Sequence, residues 1–278
     1  MISVVILTMN EEIDLPGCLA SLEWCDDIHV VDSGSTDNTV QIATCAGAKT
    51  YFNSFNGFGQ QRNWALDNCC FHYDWILFLD ADERSTSTFH ASIINSISKA
   101  SSRIAGFYCC WKTILGHRWL KKSDNFPKWQ FRILRKSRAR FIDSGHGQKE
   151  GIVEGSIAYI HEPYLHFAFS RGWDIWEQKH ILYAQKDAIA LLESSVKFRD
   201  LISPHGSRRN TAIKRFVRLI PGWPTFRFIY TYFLKGGWTE GAEAFLYCRK
   251  MLWYEIQVKR ELRLLSKSYN RKHIPVVK

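Results

Sequence analysis

An α/β fold with a parallel, doubly wound sheet is predicted for these 278 residues by three observations. Short apolar, β-branched runs alternate with helical patterns through about the first hundred residues. The run Trp75-Ile76-Leu77-Phe78-Leu79 passes straight into Asp80-Ala81-Asp82-Glu83, as a strand buried on both faces does when it leaves the sheet. Finally, the polar and acidic segments all follow strands, so they gather on one sheet edge, where open α/β sheets place ligands.

Each element has its own justification. Ile2 to Thr8 is apolar and β-branched, a buried strand. After Met9-Asn10-Glu11-Glu12, the spacing of Ile13, Leu15, Leu19 and Leu22 predicts a helix. Ile28 to Asp32 is a second strand, stopped by Ser33-Gly34-Ser35-Thr36-Asp37-Asn38, and Thr39 to Ala46 follows as a helix. Lys49 to Phe52 is a short third strand, Asn56-Gly57-Phe58-Gly59 a flexible loop, and Gln60 to Asn68 a helix. The strand at 75–79 comes fourth, with Ser85 or Thr86 able to cap a helix. Between 103 and 142 the pattern turns to strands: Ile104 to Trp111, then Gln130 to Arg135, which alternates as a half-exposed strand would. Gly145 to Gly151 is a Gly-rich loop in which His146 orients the chain, and 157–160 and 164–166 are short strands. Asp174 to Leu192 is helical, 203–207 marks a boundary, and a last helix runs roughly from Glu240 to Leu265. The expected domains are therefore 1–202 and 203–278.

Charge divides the chain. Residues 1–100 hold 4 Lys/Arg against 13 Asp/Glu, whereas 101–278 hold 33 against 14, so the second part is suited to an anionic partner. From Arg208 to Lys235, cations interleave with aromatic and aliphatic residues. That pattern fits a membrane interface, single-stranded nucleic acid, or helices packed with a cationic outer face; packing combined with membrane contact is favoured. Eight cysteines without a C-x-x-C spacing fit a reduced, cytoplasmic chain with free thiols. A signal peptide and a membrane-spanning run are not expected, and neither G-x-G-x-x-G nor a P-loop occurs.

Asp80 and Asp82 stand two apart and in extended backbone point to one side, where paired carboxylates suit a hard divalent cation. The same residues equally fit an acidic turn before a capped helix. His161 and His166 near a strand are read first as packed residues, with His166 kept as a third metal candidate.

Taken together and in order, Thr8-Met9-Asn10-Glu11-Glu12, Asp32-Ser33-Gly34-Ser35-Thr36-Asp37, Gln60-Gln61-Arg62-Asn63 and Asp80-Ala81-Asp82-Glu83 resemble the family 2 inverting glycosyltransferases of GT-A fold. Within that family the chain looks most like bacterial enzymes of lipopolysaccharide-core and exopolysaccharide synthesis. The resemblance implies a Rossmann-like, mostly parallel sheet flanked by helices, with 203–278 as a basic, aromatic-rich helical extension. It implies that Thr8, Asn10, Glu12 and Asp32 contact the nucleotide of a nucleotide-diphosphate sugar, with Arg62 near its diphosphate. Asp82 would be the main ligand to Mg²⁺ or Mn²⁺, and Asp80 a nucleotide or metal contact. Family members usually carry their general base in a Val-His-Glu-like context, absent here; Glu150 stands at the corresponding place, with Asp143 and Glu154 as alternatives. The expected acceptor is a glycan or lipid-linked hydroxyl at the inner face of the cytoplasmic membrane, and nucleic acid is not an expected partner. A sugar-phosphate nucleotidyltransferase and a basic nucleic-acid-binding protein are the rival readings.

Overall fold

The computed structural model describes residues 1–145, 147–193, 197–204 and 206–272; the side chains at 206–208, 211, 214 and 267–272 fall outside that description. His146, and the side chains of Arg208 and Lys214 in the basic region, therefore lie outside the described residues. The chain forms two compact units, Met1–Gly172 and Trp173–Lys278.

The first unit is built on a mixed sheet. Strands β1 (Ser3–Thr8), β2 (Ile28–Asp32), β3 (Lys49–Phe52) and β4 (Trp75–Asp80) run parallel in the order β3-β2-β1-β4. The sheet continues through β8 (Trp129–Arg135), β6 (Ile104–Leu115), β11 (Ser156–His166) and the two-residue β5 (Glu83–Arg84). Here β8 is antiparallel to both β4 and β6, and the short β7 (Arg118–Trp119) pairs with β6. Both faces of the parallel part are covered, which is why β1 and β4 read as unbroken apolar runs. Val4, Ile6, Leu77 and Leu79 pack with helices α1 (Leu15–Ala20) and α4 (Ser87–Ser98) on one face. Val5, Ile76 and Phe78 meet α3 (Phe58–Asn68) on the other, whereas α2 (Thr39–Cys45) follows β2. Thr86 caps α4, its side chain accepting from the Phe89 amide.

Three expectations need correction. The Gly145–Gly151 stretch is not a loop throughout: β10 (Gly147–Val153) pairs antiparallel with β9 (Ala139–Ser144) in a separate hairpin packed on α3. Arg132 on β8 is buried, because β8 lies inside the sheet between β4 and β6 and its polar positions do not face water. Asn56–Gly59 is a close-packing segment: a Cβ on Gly57 would stand 2.4 Å from the Asp143 carboxylate, and one on Gly59 would stand 2.8 Å from the Ile142 backbone.

The second unit is helical, with α5 (Trp173–Glu193), α6 (Gly206–Leu219), α7 (Trp223–Ile229), a π-turn (Tyr230–Leu234) and α8 (Ala242–Lys272). It begins ahead of the expected 202/203 division because α5 packs along α8. Arg218 bridges Glu255 at 3.1 Å and Asp187 at 3.3 Å, and Arg227 also pairs with Glu255, so two cations of the basic region are internal ties. No helix among the described residues is long and apolar enough to cross a membrane, and all eight cysteines are free.

Candidate active site

Strand register brings the polar loops together. Thr8 lies opposite Asp32, and Leu7 opposite Asp80, so the ends of β1, β2 and β4 share one edge. The Thr8 hydroxyl donates to Asp32 at 2.8 Å, while the amides of Gly34 and Ser35 donate to the other Asp32 oxygen at 2.8 and 2.7 Å. Asp32 thus closes its own turn and is buried. The loop after β1 is tied to the loop after β2. The Asn10 side chain accepts from the Thr36 amide at 2.8 Å, the Asn10 amide donates to Ser35 at 2.7 Å, and Glu12 accepts from the Asn38 side chain at 3.0 Å. Asn10 reaches this position at φ 55°, a left-handed conformation that asparagine tolerates. Arg171 adds a clamp from 2.7 Å on Glu11.

Each side chain of Gln60-Gln61-Arg62-Asn63 has a separate anchor. Gln60 donates to Asp143 at 3.2 Å. Gln61 joins Ser33 and Asn53, at 3.1 Å and 2.7 Å, beside the β2 turn. Asn63 pairs with the Phe141 backbone through two bonds of 2.9 Å. Arg62 does not reach the surface where a diphosphate would lie. It is fully buried, ringed by Phe58, Phe78 and Phe141 at 5.7–5.9 Å, and donates to Asp80 at 2.9 Å. The other Asp80 oxygen accepts from Arg132 at 2.8 Å, and Arg132 also holds Glu83 at 2.5 Å. Glu83 in turn accepts from the Asp80 amide at 2.9 Å. Burial disfavours the Asp80 carboxylate, but the two guanidinium groups outweigh it and hold its pKa well below the usual carboxylate range.

Asp80 and Asp82 have separate partners: β4 ends at Asp80 and the chain turns at 81–82. Asp82 faces His166 instead, at 3.4 Å. The register sets that meeting, since His166 pairs opposite Glu83 where β11 meets β5. Burial works against a charged His166, but Asp82 and Glu83 outweigh it and raise its pKa, so the spot favours positive charge. Its Nδ1 is buried without a partner. A carboxylate and an imidazole suit Mn²⁺ well and Mg²⁺ through the oxygen. Among the described residues no group of three or more His, Cys, Asp or Glu could hold a metal.

The three base candidates separate. Asp143 already accepts from the Gly59 amide at 2.7 Å and from Gln60, holding the start of α3. Glu154 lies by Arg138, to whose carbonyl its amide donates at 2.8 Å, just past the β8 end that pairs with Trp75. That is the opposite end of β4 from Asp80, five residues and about 17 Å away at strand rise. Glu150 is half-buried on β10; burial, and then the nearby Glu150 carboxylate, raise the Tyr108 pKa. His161 stacks edge-on with Trp129 at 5.2 Å, apart from the Asp82–His166 pair. Arg132 and Glu83 are the network members that sequence reasoning missed. The available signal was an arginine within the apolar Phe131, Ile133 and Leu134 of β8, which a buried strand keeps only with acidic partners.

The chain is 28% identical over 253 residues to the "Lipopolysaccharide core biosynthesis glycosyltransferase LpsC" of Rhizobium meliloti, covering 88% of this chain and 85% of that one. An uncharacterized glycosyltransferase of Rickettsia typhi is 40% identical over 83 residues, 30% of this chain and 28% of the relative. Among solved structures, a mannosyltransferase from Pyrobaculum calidifontis, in complex with GDP-Man and Mn²⁺, superposes with a TM-score of 0.56 at 14% identity, covering 94% of this chain and 86% of that one. It shares the fold of a mostly parallel sheet flanked by helices. Residues 3–147 match glycosyl transferase family 2, more than half the chain, and the protein belongs to that family of glycosyltransferases.

Proposed function

We propose that this glycosyltransferase moves one sugar, with inversion, from a nucleotide-diphosphate donor to a hydroxyl of a glycan or lipid-linked acceptor during lipopolysaccharide-core assembly. The observation that carries this reading is the Asp82–His166 pair beside the Asp80 network, at the edge where the loops after β1 and β2 meet. The similarity to LpsC supports the core-assembly role, and the Mn²⁺ and GDP-Man in the Pyrobaculum enzyme support a metal and a nucleotide sugar. Family membership argues against nucleotidyl transfer.

Thr8, Asn10, Glu12 and Asp32 form a rigid cradle for the nucleoside, pre-shaped by the Thr8–Asp32 bond and by the bonds of Asn10 to Thr36 and Glu12 to Asn38. Asp80, fixed by Arg62 and Arg132, presents its open part to the donor, and Arg62 acts only through it. Asp82 and His166 would hold Mg²⁺ or Mn²⁺, which would supply positive charge beside the departing diphosphate. Glu150 takes the proton of the acceptor hydroxyl as that oxygen attacks the anomeric carbon opposite the leaving group. The enzyme would work at the inner face of the cytoplasmic membrane, attached peripherally.

A screen of UDP-, GDP- and dTDP-sugars for release of nucleoside diphosphate, with Mg²⁺ or Mn²⁺, tests the reading. Turnover that chelator and Asp82→Asn both abolish is the expected result. Absence of binding and turnover with every donor would sink it.

A further inference from the structure

The second unit carries an apolar stripe turned outward. Along α7 and the π-turn, Phe226, Ile229, Tyr230, Phe233 and Leu234 recur at helical spacing and are 44–71% exposed. The opposite side of the same segment is the packed one: Pro224 and Thr231 are buried and Arg227 is tied to Glu255. An amphipathic helix ordinarily buries such a stripe, so this one is shaped for something other than water. At its N-terminal end a cleft of about 460 Å³ opens between α7 and α8. Thr225 lines it, one turn before Ile229, and from α8 it receives Ile256, Arg260, Arg263 and Leu264. Arg260 and Arg263 are exposed and make no ion pair among the described residues, unlike Arg218 and Arg227.

We infer that this face is the membrane-binding surface: the Phe226–Leu234 stripe enters the lipid interface, and the Arg260/Arg263 cleft receives the phosphate of an anionic lipid headgroup. Aromatic and aliphatic side chains beside unpaired arginines match the layered chemistry of that interface, apolar below and anionic above. A second copy of the chain fits less well, since two-fold pairing of the patch would bring these arginines against their like. The inference deepens the peripheral attachment proposed above. It moves the lipid-binding cations from the expected 208–235 region to α8.

Flotation of the full-length protein tests it, using vesicles of phosphatidylcholine alone and of phosphatidylcholine with phosphatidylglycerol. The wild type should float with the anionic vesicles. The R260Q/R263Q double variant should lose about thirtyfold in affinity for them, roughly fivefold per cation. The F226S/F233S double variant should lose binding even at low salt. Both substituted pairs are exposed, so circular dichroism melts should match the wild type, and metal-dependent donor hydrolysis should persist in both. Retained hydrolysis with unchanged flotation in either double variant overturns the membrane surface alone. Failure of the wild type to float on anionic vesicles also overturns it, as does a dimer in solution that F226S/F233S dissociates. Loss of hydrolysis in the wild type would instead strike the transferase reading.

Discussion

Arg62 and Asp80 meet at 2.9 Å with unequal surroundings: the arginine is wholly buried, while the carboxylate remains about one-third open toward the sheet edge. The pair fixes a site acid from beneath, and Arg132 fixes it from the side while also compensating Glu83. Such a network orients Asp80 without any flexible side chain at the surface.

Breaking the network from its buried side should be costly. Arg132→Met leaves Glu83 buried without its hydrogen-bonded cation and should destabilise the protein by about 3–5 kcal/mol. Adding Glu83→Gln should recover part of the loss, a coupling that denaturant unfolding of the single and double variants measures. A loss below about 1 kcal/mol for Arg132→Met would mean that the ion pairs do not organise this edge.

If Asp82 and His166 hold the metal as proposed, they offer two donors among the described residues, and metal should bind weakly alone and more tightly once a nucleoside diphosphate is present. Titration of Mn²⁺ by electron paramagnetic resonance, with and without UDP or GDP, checks this. His166→Ala should cost about 10–100-fold in metal affinity, by analogy with lost supporting contacts, while Asp82→Asn should remove the nucleotide enhancement. Tight Mn²⁺ binding without nucleotide would require further protein ligands.

How far the sequence reached depended on whether a residue's role was local. Strand runs, caps and the alternation of elements were legible because burial on both faces and capping act within a few residues, as at Trp75–Asp80 and Thr86. The meeting of Asp82 with His166 was not, since 84 positions separate them and the β5–β11 pairing brings them together. Arg62 and Arg132 misled for a related reason: an isolated arginine looks like a surface residue until its acidic partners, distant in the chain, are known. Gly57 and Gly59 looked like flexibility, yet they give room to the β9 strand, so Gly59→Ala should displace the hairpin and cost about 1–3 kcal/mol.

Glu150 can be tested apart from binding. Glu150→Gln should lower transfer by about 10²–10⁴-fold, the range for a lost general base, with donor affinity nearly intact. Asp143→Ala should instead raise the denaturant sensitivity, because it removes the acceptor for the Gly59 amide. Transfer that survives in Glu150→Gln would move the base elsewhere.

The acid stability of the fold should hinge on Asp27, at the edge of the sheet away from the site. Its carboxylate is fully buried and accepts from Lys49 at 2.8 Å, Ser3 at 2.6 Å and the His72 amide at 2.8 Å. Burial alone would raise its pKa, but these donors outweigh burial and hold it well below the usual carboxylate range. A folded pKa below the unfolded value of about 3.9 adds stability that is complete above that value. It is lost as pH falls through the unfolded value toward the folded one. Asp27→Asn should therefore cost about 2–3 kcal/mol at pH 6, the worth of bonds to a charged group. That difference should shrink steadily as unfolding is measured from about pH 5 down to pH 2. A gap that stays constant across this window would show that Asp27 contributes by packing and not by charge.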